Sequence, residues 1–104
     1  MNKKITYRDM VFDIVKQIPP GKVVSYGQIS RMIPGCTARM VGYALASLPK
    51  DSDVPWQRVI NSKGKISPHG AGFGSAMQRA LLEQEGIIFH EDNSIDFNVF
   101  GWFF

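Results

Sequence analysis

The chain has 104 residues, of which 44% are hydrophobic and 20% are charged, and this balance is typical of one globular domain, here expected over residues 1–104. No apolar run could span a bilayer or serve as a signal peptide, and the single cysteine, Cys36, with two isolated histidines leaves neither a disulfide framework nor a metal site. We therefore predict a cytoplasmic protein without a cofactor, whose net charge of +3 permits a nucleic-acid partner without requiring one.

The first helix is predicted over residues 7–17. Thr6 and Asp9 form a capping-box pattern at its start, and a Pro-Pro-Gly sequence at 19–21 ends it. Apolar residues recur along this segment at the spacing of one helical face. We expect the following side chains to face the core: Met10, Val11, Ile14, Val15 and Ile18.

Two further helices follow in close succession. Ser25 and Gln28 form a second capping box, which opens a short helix that Pro-Gly at 34–35 closes. Thr37 is a suitable N-cap for a third helix over residues 38–48. The residues of the second helix expected to face inward are Ile29, Met32 and Ile33. A helix, a tight turn containing glycine and another helix form the helix-turn-helix arrangement.

The outer surface of the third helix combines one guanidinium and one phenol with small side chains. Its residues are Arg39, Met40, Gly42, Tyr43, Ala46 and Ser47. A cation near the start of a helix gains nothing from the helix dipole, whereas an anionic partner such as a phosphate backbone accounts for both the cation and the small residues. The alternative is that Gly42 and Ala46 pack against a neighbouring helix while Arg39 is a solvated charge.

Two small β-hairpins are predicted in the second half of the chain. The first pairs residues 58–60 with residues 65–66, and the second pairs residues 87–90 with residues 94–97. A glycine-rich loop at 69–74 lies between them and matches no nucleotide-binding fingerprint. The predicted fold class is therefore mainly α with small β-hairpins, arranged as a winged-helix-like helix-turn-helix domain.

A fourth helix is expected after the glycine-rich loop. Ser75 and Gln78 match a third capping box, and the helix runs to Glu85 with Gly86 as its C-cap residue. The aromatic tail at 99–104 is expected to pack against the domain, because an exposed cluster of that size would promote aggregation.

The sequence Pro-Trp-Gln-Arg-Val-Ile at 55–60 places an indole beside an amide and a guanidinium. A tryptophan that follows a proline is more often a core anchor than a platform for a ligand, so the residues alone favour a structural role for Trp56.

Four motifs in series resemble the C-terminal domain of the O6-alkylguanine-DNA alkyltransferases. The segment at 55–60 is one of them, and the others are Lys-Val-Val-Ser-Tyr-Gly-Gln at 22–28, Ala-Arg-Met-Val-Gly-Tyr-Ala at 38–44 and Leu-Leu-Glu-Gln-Glu-Gly at 81–86. At the position of residues 55–58 that family has Pro-Cys-His-Arg, where the cysteine accepts the alkyl group and the histidine activates the cysteine. Trp56 and Gln57 replace that pair here and can take neither role.

A tryptophan in the acceptor position resembles the alkyltransferase-like proteins. The resemblance implies a monomeric, non-enzymatic protein that binds O6-alkylguanine in double-stranded DNA through the minor groove and flips the damaged base. It also implies that the marked site passes to the nucleotide excision repair machinery, with a UvrA-type damage-recognition component as partner. Such a protein would be associated with the bacterial nucleoid when bound to DNA.

The same resemblance implies roles for individual residues. Arg39 would fill the gap left by the flipped nucleotide, and Tyr26 would push on the neighbouring phosphate. The implied DNA-binding residues are Tyr26, Thr37, Ala38, Arg39, Gly42, Tyr43 and Ala46. The implied lesion pocket contains Tyr26, Trp56, Arg58, Val59 and Ser75, with main-chain groups of the glycine-rich loop, and the residues that support it are Gln57 and Glu85. The sequence leaves open whether Arg58 faces the lesion or holds the loop.

Two other functions remain compatible with the sequence. A helix-turn-helix transcription regulator would read the major groove with several polar side chains, whereas Arg39 stands almost alone on the third helix. An enzyme would be either a lesion glycosylase or an alkyltransferase that uses Cys36, which lies in the turn before the third helix with no base near it in sequence.

Overall fold

The computed structural model describes residues 5–67 and 74–104. In chain order, its elements are α1 (Tyr7–Lys16), β1 (Val24–Ser25), α2 (Tyr26–Ser30), α3 (Ala38–Ala46), a 3-10 turn (Trp56–Arg58), β2 (Val59–Ile60), α4 (Ser75–Gln84) and α5 (Phe97–Phe100). The architecture is mainly helical with one small sheet. Within the described ranges, no helix is both long and apolar enough to cross a membrane.

The first three helices begin where their capping residues predict. Both predicted capping boxes are present, since Thr6 Oγ1 accepts the N–H of Asp9 at 3.3 Å and Ser25 Oγ accepts the N–H of Gln28 at 3.1 Å, each with the reciprocal bond. Thr37 caps α3. These contacts satisfy N–H groups that have no partner inside a helix, and they confirm the helix-turn-helix portion of the prediction.

The main core lies between α1, α2, α3 and the small sheet. The predicted inward face of α1, apart from Met10, is buried there. Ile29 of α2 is buried there as well, as are Val41, Ala44 and Leu45 of α3. Met10 and Met32 are exposed, so their predicted positions in the core are wrong. Helix α2 ends at Ser30, and Met32 therefore lies beyond the helical periodicity that placed it inward, while Met10 lies at the edge of the α1 stripe.

The sheet is parallel, and the predicted hairpin at 58–66 is wrong. Val24 pairs with Val59 and Ser25 with Ile60, so β2 is joined to the strand that precedes the helix-turn-helix. Residues 61–65 form a turn instead of a second strand, because the Asn61 carboxamide accepts the N–H groups of Lys63 and Lys65. This side chain replaces the ladder that a hairpin would need.

The second predicted hairpin, at 87–97, is also absent. His90 donates its N–H to Ser94 O at 2.8 Å, and Asn93 has a φ of +68°, which makes a tight turn without flanking strands. Asp96 then caps α5 through the N–H of Asn98, so the chain enters a helix where alternation predicted a strand.

Helix α4 starts and ends differently from the prediction. Its N-cap is Gly74, Ser75 is its first residue, and no side chain caps it, so the predicted Ser75 capping box is wrong. At the other end Glu85 is the C-cap and Gly86 follows with a φ of +93°. The N–H groups of Gly86 and Ile87 bond back to Glu83 O and Leu82 O, which is the Schellman arrangement. Positions 69–73 of the glycine-rich loop lie outside the described residues.

The aromatic tail packs only in part. Trp102 lies against the main core and donates its N–H to Val23 O at 3.0 Å, beside a parallel bridge between Val23 and Gly101. Phe103 is 74% exposed and Phe104 is exposed as well, so the prediction holds for Trp102 and is wrong for the two terminal residues.

Candidate nucleic-acid interface

The outer surface of α3 borders a cavity of about 610 Å³. Six of the seven residues predicted to bind DNA line it together with Ser67, namely Tyr26, Ala38, Arg39, Gly42, Tyr43 and Ala46. The seventh, Thr37, accepts the N–H of Met40 at 3.2 Å and so fixes the start of the helix that carries them. The fold therefore brings the predicted DNA-binding residues to one surface.

Arg39 is exposed on the first turn of α3. Over residues 5–67 and 74–104, no hydrogen bond or ion pair engages its guanidinium. The alternative packing role of Gly42 is not supported, because a methyl group added there would meet no atom within 4 Å. A free cation beside an open, glycine-containing helix surface is suited to a close approach by an anionic backbone.

Tyr26 begins α2 and packs against the main core from the edge of this cavity. Burial raises the pKa of its phenol above the ordinary value of 10.0. The hydroxyl therefore stays protonated throughout the physiological pH range and can donate a hydrogen bond to an acceptor such as a phosphate oxygen.

The 3-10 turn Trp56–Arg58, here called the Trp56 turn, holds its indole inside the protein. Trp56 is 8% exposed and belongs to the main core. The main-chain N–H of Trp56 donates to Val54 O at 2.8 Å, and the main-chain N–H of Arg58 donates to Pro55 O at 3.1 Å. The exposed edge of this turn borders a second cavity, of about 660 Å³, with Lys16 and Lys50. No described residue lines both this cavity and the cavity beside the outer surface of α3.

Glu85 joins the Trp56 turn to the rest of the fold. Its carboxylate accepts hydrogen bonds from Gln57 Nε2 at 2.7 Å, from Arg58 Nε and Nη2 at 2.9 and 3.1 Å, and from the N–H of Gly21 at 3.0 Å. Arg58 Nη1 donates to Ile18 O at 2.8 Å. These contacts are those that the predicted supporting role of Gln57 and Glu85 requires.

The same contacts show that Arg58 holds the loop. Its guanidinium is largely buried and binds Glu85 and the carbonyl of Ile18, two residues beyond α1. Arg58 also lines the second cavity together with Trp56, so its place in the lesion pocket stays a prediction. The prediction for Val59 is wrong, because this side chain is fully buried in β2 opposite Val24 and cannot contact a bound base in this conformation.

The remaining lesion-pocket residues do not share one cavity among the described residues. Tyr26 borders the cavity beside the outer surface of α3, and Trp56 borders the second cavity. Ser75 is exposed on the first turn of α4 and lines a third cavity with Lys65 and Phe89. The main-chain groups expected from the glycine-rich loop lie at 69–73, outside the described residues. The pocket roles of Tyr26, Trp56 and Ser75 stay predictions.

Sequence reasoning missed Gln78 as a residue of this site. Its side chain is 2% exposed, and Nε2 donates to Gln57 O at 3.1 Å and to Val59 O at 2.9 Å. Gln78 precedes Glu85 by seven residues, which is two helical turns, so both lie on one face of α4. That spacing was the available signal, but the pattern Ser75 to Gln78 also fits a capping box.

The charge on Glu85 contributes to stability. Burial by itself would raise the pKa of this carboxyl, but hydrogen bonds from Arg58, Gly21 and Gln57, together with the positive charge of Arg58, lower it below its ordinary value of 4.5. A group whose folded pKa is lowered stabilises the fold above its unfolded pKa, and this stabilisation is lost as the pH falls through the folded pKa.

Replacing Glu85 by glutamine is expected to lower the free energy of unfolding by about 3 kcal/mol at neutral pH, because Arg58 loses its buried counter-charge. Urea denaturation as a function of pH measures this loss, and the difference from wild type should shrink as the acid range is entered. Glu83→Gln is the matched control, since Glu83 is an exposed neighbour that forms only a surface pair with Arg79. Equal losses in the two variants would contradict the assignment.

Cys36 lies in the turn before α3, where its thiol contacts Thr37 O at 3.6 Å. Burial raises the pKa of this thiol above its ordinary value, so it stays protonated at neutral pH and is a poor nucleophile. No cluster of His, Cys, Asp and Glu within residues 5–67 and 74–104 could hold a metal ion.

The chain matches the family described as 6-O-methylguanine DNA methyltransferase, DNA binding domain, over residues 6–87. A DNA base-flipping protein of Vibrio parahaemolyticus is 46% identical over 94 residues, which cover 88% of this chain and 91% of that protein. Alkyltransferase-like protein 1 of Schizosaccharomyces pombe is 45% identical over 78 residues, which cover 74% of this chain and 72% of that protein.

A solved structure has the same fold. It is the crystal structure of S. pombe Atl1 in complex with damaged DNA containing O6-carboxymethylguanine, which superposes with a TM-score of 0.83 at 36% identity. The match covers 92% of this chain and 94% of that chain.

Proposed function

Because the chain belongs to the family of the 6-O-methylguanine DNA methyltransferase DNA-binding domain, we propose that it recognises O6-alkylguanine in duplex DNA by base flipping and leaves the lesion unrepaired. In this proposal residues 1–104 act as one DNA-binding domain. The names of two relatives, a DNA base-flipping protein and an alkyltransferase-like protein, support the same activity.

The observation that carries this proposal is the Trp56 turn. The segment at 55–60 resembles the acceptor motif of the alkyltransferases, and by that resemblance Trp56 takes the place of the acceptor cysteine and Gln57 the place of the activating histidine. The Gln57 amide neither accepts nor releases a proton near neutral pH, and it donates to Glu85. The protonated thiol of Cys36 lies in another part of the fold. The scaffold is therefore suited to hold an alkylated base but not to dealkylate it.

The surface of α3 supplies the DNA contacts in this proposal. Arg39 enters the base stack in place of the extruded nucleotide, since a guanidinium plane stacks on bases, and Gly42 with Ala46 admits the backbone to the minor groove. Tyr26 donates its protonated hydroxyl to a neighbouring phosphate. Flipping costs a few kcal/mol, less for a damaged pair, and one base–aromatic stack returns roughly 1 to 3 kcal/mol.

The extruded base enters the cavity beside Tyr26 and Ser67. A volume of about 610 Å³ lies in the range of small-molecule sites, and a purine fits within it. Trp56 borders the other cavity, so its contact with the extruded base is a separate part of the proposal. The lesion pocket is therefore centred on Tyr26, with Trp56 as its proposed second aromatic residue.

A protein that binds a lesion without chemistry acts as a persistent marker. We propose that the bound site is passed to nucleotide excision repair, with UvrA-type damage recognition as the partner, and that the protein acts as a monomer in the cytoplasm on nucleoid DNA. A pull-down of purified excision repair proteins on alkylated duplex, with and without this protein, tests the partner directly.

The central test uses two duplexes that differ only by one O6-methylguanine, titrated at the same salt concentration. We expect binding to the alkylated duplex to be roughly tenfold tighter or more, the size that one favourable stack supplies. Equal affinity for the two duplexes at several unrelated sequences would overturn the proposal. A marked preference for one undamaged sequence would instead favour a transcription regulator.

Mass spectrometry of the protein and the DNA after incubation decides whether any transfer occurs. The expected result is an unchanged protein mass and an intact alkylated strand. A methyl group gained by Cys36, or a released base, would show an alkyltransferase or a glycosylase and would contradict the absence of catalysis.

A further inference from the structure

We propose that Gln78 is a positioning residue for lesion recognition, which fixes the main chain of the Trp56 turn and thereby sets the discrimination between alkylated and normal guanine. This inference rests on the proposed function, because it concerns the site in which Trp56 takes part.

The geometry gives Gln78 a task that no other described residue performs. Its amide donates one N–H to Gln57 O and the other to Val59 O, the carbonyls on either side of Arg58. Glu85 binds the side chains of Gln57 and Arg58 and leaves these two carbonyls to Gln78. The side-chain contacts hold the end of the turn, and Gln78 holds its backbone.

Burial makes these bonds matter. Gln78 is 2% exposed, so water cannot replace its amide if the side chain is removed. The two contact points on α4 are separated by seven residues, or about 10 Å along the helix axis. Together with the bond from Arg58 to Ile18 O and the pairing of β2 with β1, these two separated contacts restrain both translation and rotation of the short turn.

The orientation of the indole follows from this backbone. Both main-chain groups of Trp56 are hydrogen-bonded. Its main-chain N–H donates to Val54 O, and its carbonyl accepts the N–H of Val59. Val59 is the residue whose carbonyl Gln78 binds. Release of that carbonyl would loosen the peptide group on the carbonyl side of Trp56, and the position of the ring relative to a bound base would be less tightly fixed.

The test uses Gln78→Met in a Trp102→Phe background, in which Trp56 is the only remaining tryptophan. Methionine keeps the side-chain length and helix propensity but donates no hydrogen bond. We expect acrylamide to quench Trp56 more strongly in the free protein. The ratio of affinities for alkylated and undamaged duplex should fall by about tenfold, because a displaced indole loses much of the stack that it makes only with the extruded base.

The ratio distinguishes positioning from a general loss of stability. Both duplexes bind the same folded protein, so a lower unfolding temperature by itself leaves the ratio unchanged when binding is measured well below that temperature. Gln84→Met is the matched control, because Gln84 is an exposed glutamine on the same helix. If Gln78→Met does not fold, Gln78→Asn carries the same test, since its amide is one methylene too short to reach both carbonyls, and a smaller loss in the same direction is expected.

The outcomes separate this inference from the proposed function. Wild-type discrimination that persists unchanged in Gln78→Met, with unchanged quenching, would overturn the positioning role while the proposed function stands. If wild type does not discriminate between the duplexes, the proposed function fails and the lesion-related role of Gln78 fails with it. Stronger quenching accompanied by a lower discrimination ratio supports the inference.

Discussion

Replacing Trp56 by alanine is expected to lower the free energy of unfolding by about 3 to 5 kcal/mol, the range for removal of a large buried aromatic side chain. The indole is 8% exposed and belongs to the main core, so its loss leaves a cavity in that core. Domains of this size are stable by only about 5 to 15 kcal/mol, so much of the total would be lost. Urea denaturation at neutral pH measures the effect.

This core role determines how the lesion role of Trp56 has to be tested. Trp56→Ala would confuse lost packing with lost recognition, whereas Trp56→Phe keeps an aromatic ring and most of the buried area. We expect Trp56→Phe to remain folded and to reduce the preference for alkylated duplex by roughly fivefold, because a smaller ring stacks less well. Trp102→Phe is the same substitution outside the site. An unchanged preference in Trp56→Phe would remove Trp56 from the pocket, and a loss of stability below about 1 kcal/mol in Trp56→Ala would contradict its core role.

Arg39→Ala is expected to weaken binding to alkylated duplex by roughly tenfold to hundredfold, because the gap left by the flipped nucleotide would no longer be filled. The fold should be almost unaffected, within about 0.5 kcal/mol, since the side chain is exposed and has no hydrogen-bond or ion-pair partner in the described parts of the chain. Competition titrations with labelled duplex measure the affinity, and thermal unfolding checks the stability.

Two further variants isolate the role of the guanidinium. Arg79→Ala removes the same charge from α4, where the side chain contacts Phe89, Asn93 and Glu83, and it should reduce affinity much less. Arg39→Lys keeps the charge but lacks a planar group that stacks, so an intermediate affinity is expected. Wild-type affinity of Arg39→Lys would show that Arg39 makes only a charge contact with phosphate. An equal loss of affinity in Arg39→Ala and Arg79→Ala would contradict a specific role for Arg39.

The amino-acid sequence by itself determined the helical half of the domain and the grouping of the predicted DNA-binding residues on α3. Capping residues such as Thr6, Ser25 and Thr37 act on N–H groups within three residues, so their effect can be predicted locally. The small residues at 42 and 46 share a helix face with Arg39 because helical geometry puts them there. The replacement of the acceptor cysteine and activating histidine by Trp56 and Gln57 is what the resemblance to the alkyltransferases implies, and it too was predicted from the sequence alone.

Only the tertiary structure decided what surrounds the Trp56 turn. Strand β2 pairs with β1 rather than with its own neighbour, Arg58 binds a glutamate 27 residues away, and Gln78 reaches a carbonyl 19 residues away. Local patterns favoured a hairpin at 58–66 and a capping role for Gln78, and the sequence left two roles open for Arg58. The competing long-range partners prevailed because a buried polar group needs a hydrogen-bond partner, and which partner lies within reach depends on how distant segments pack.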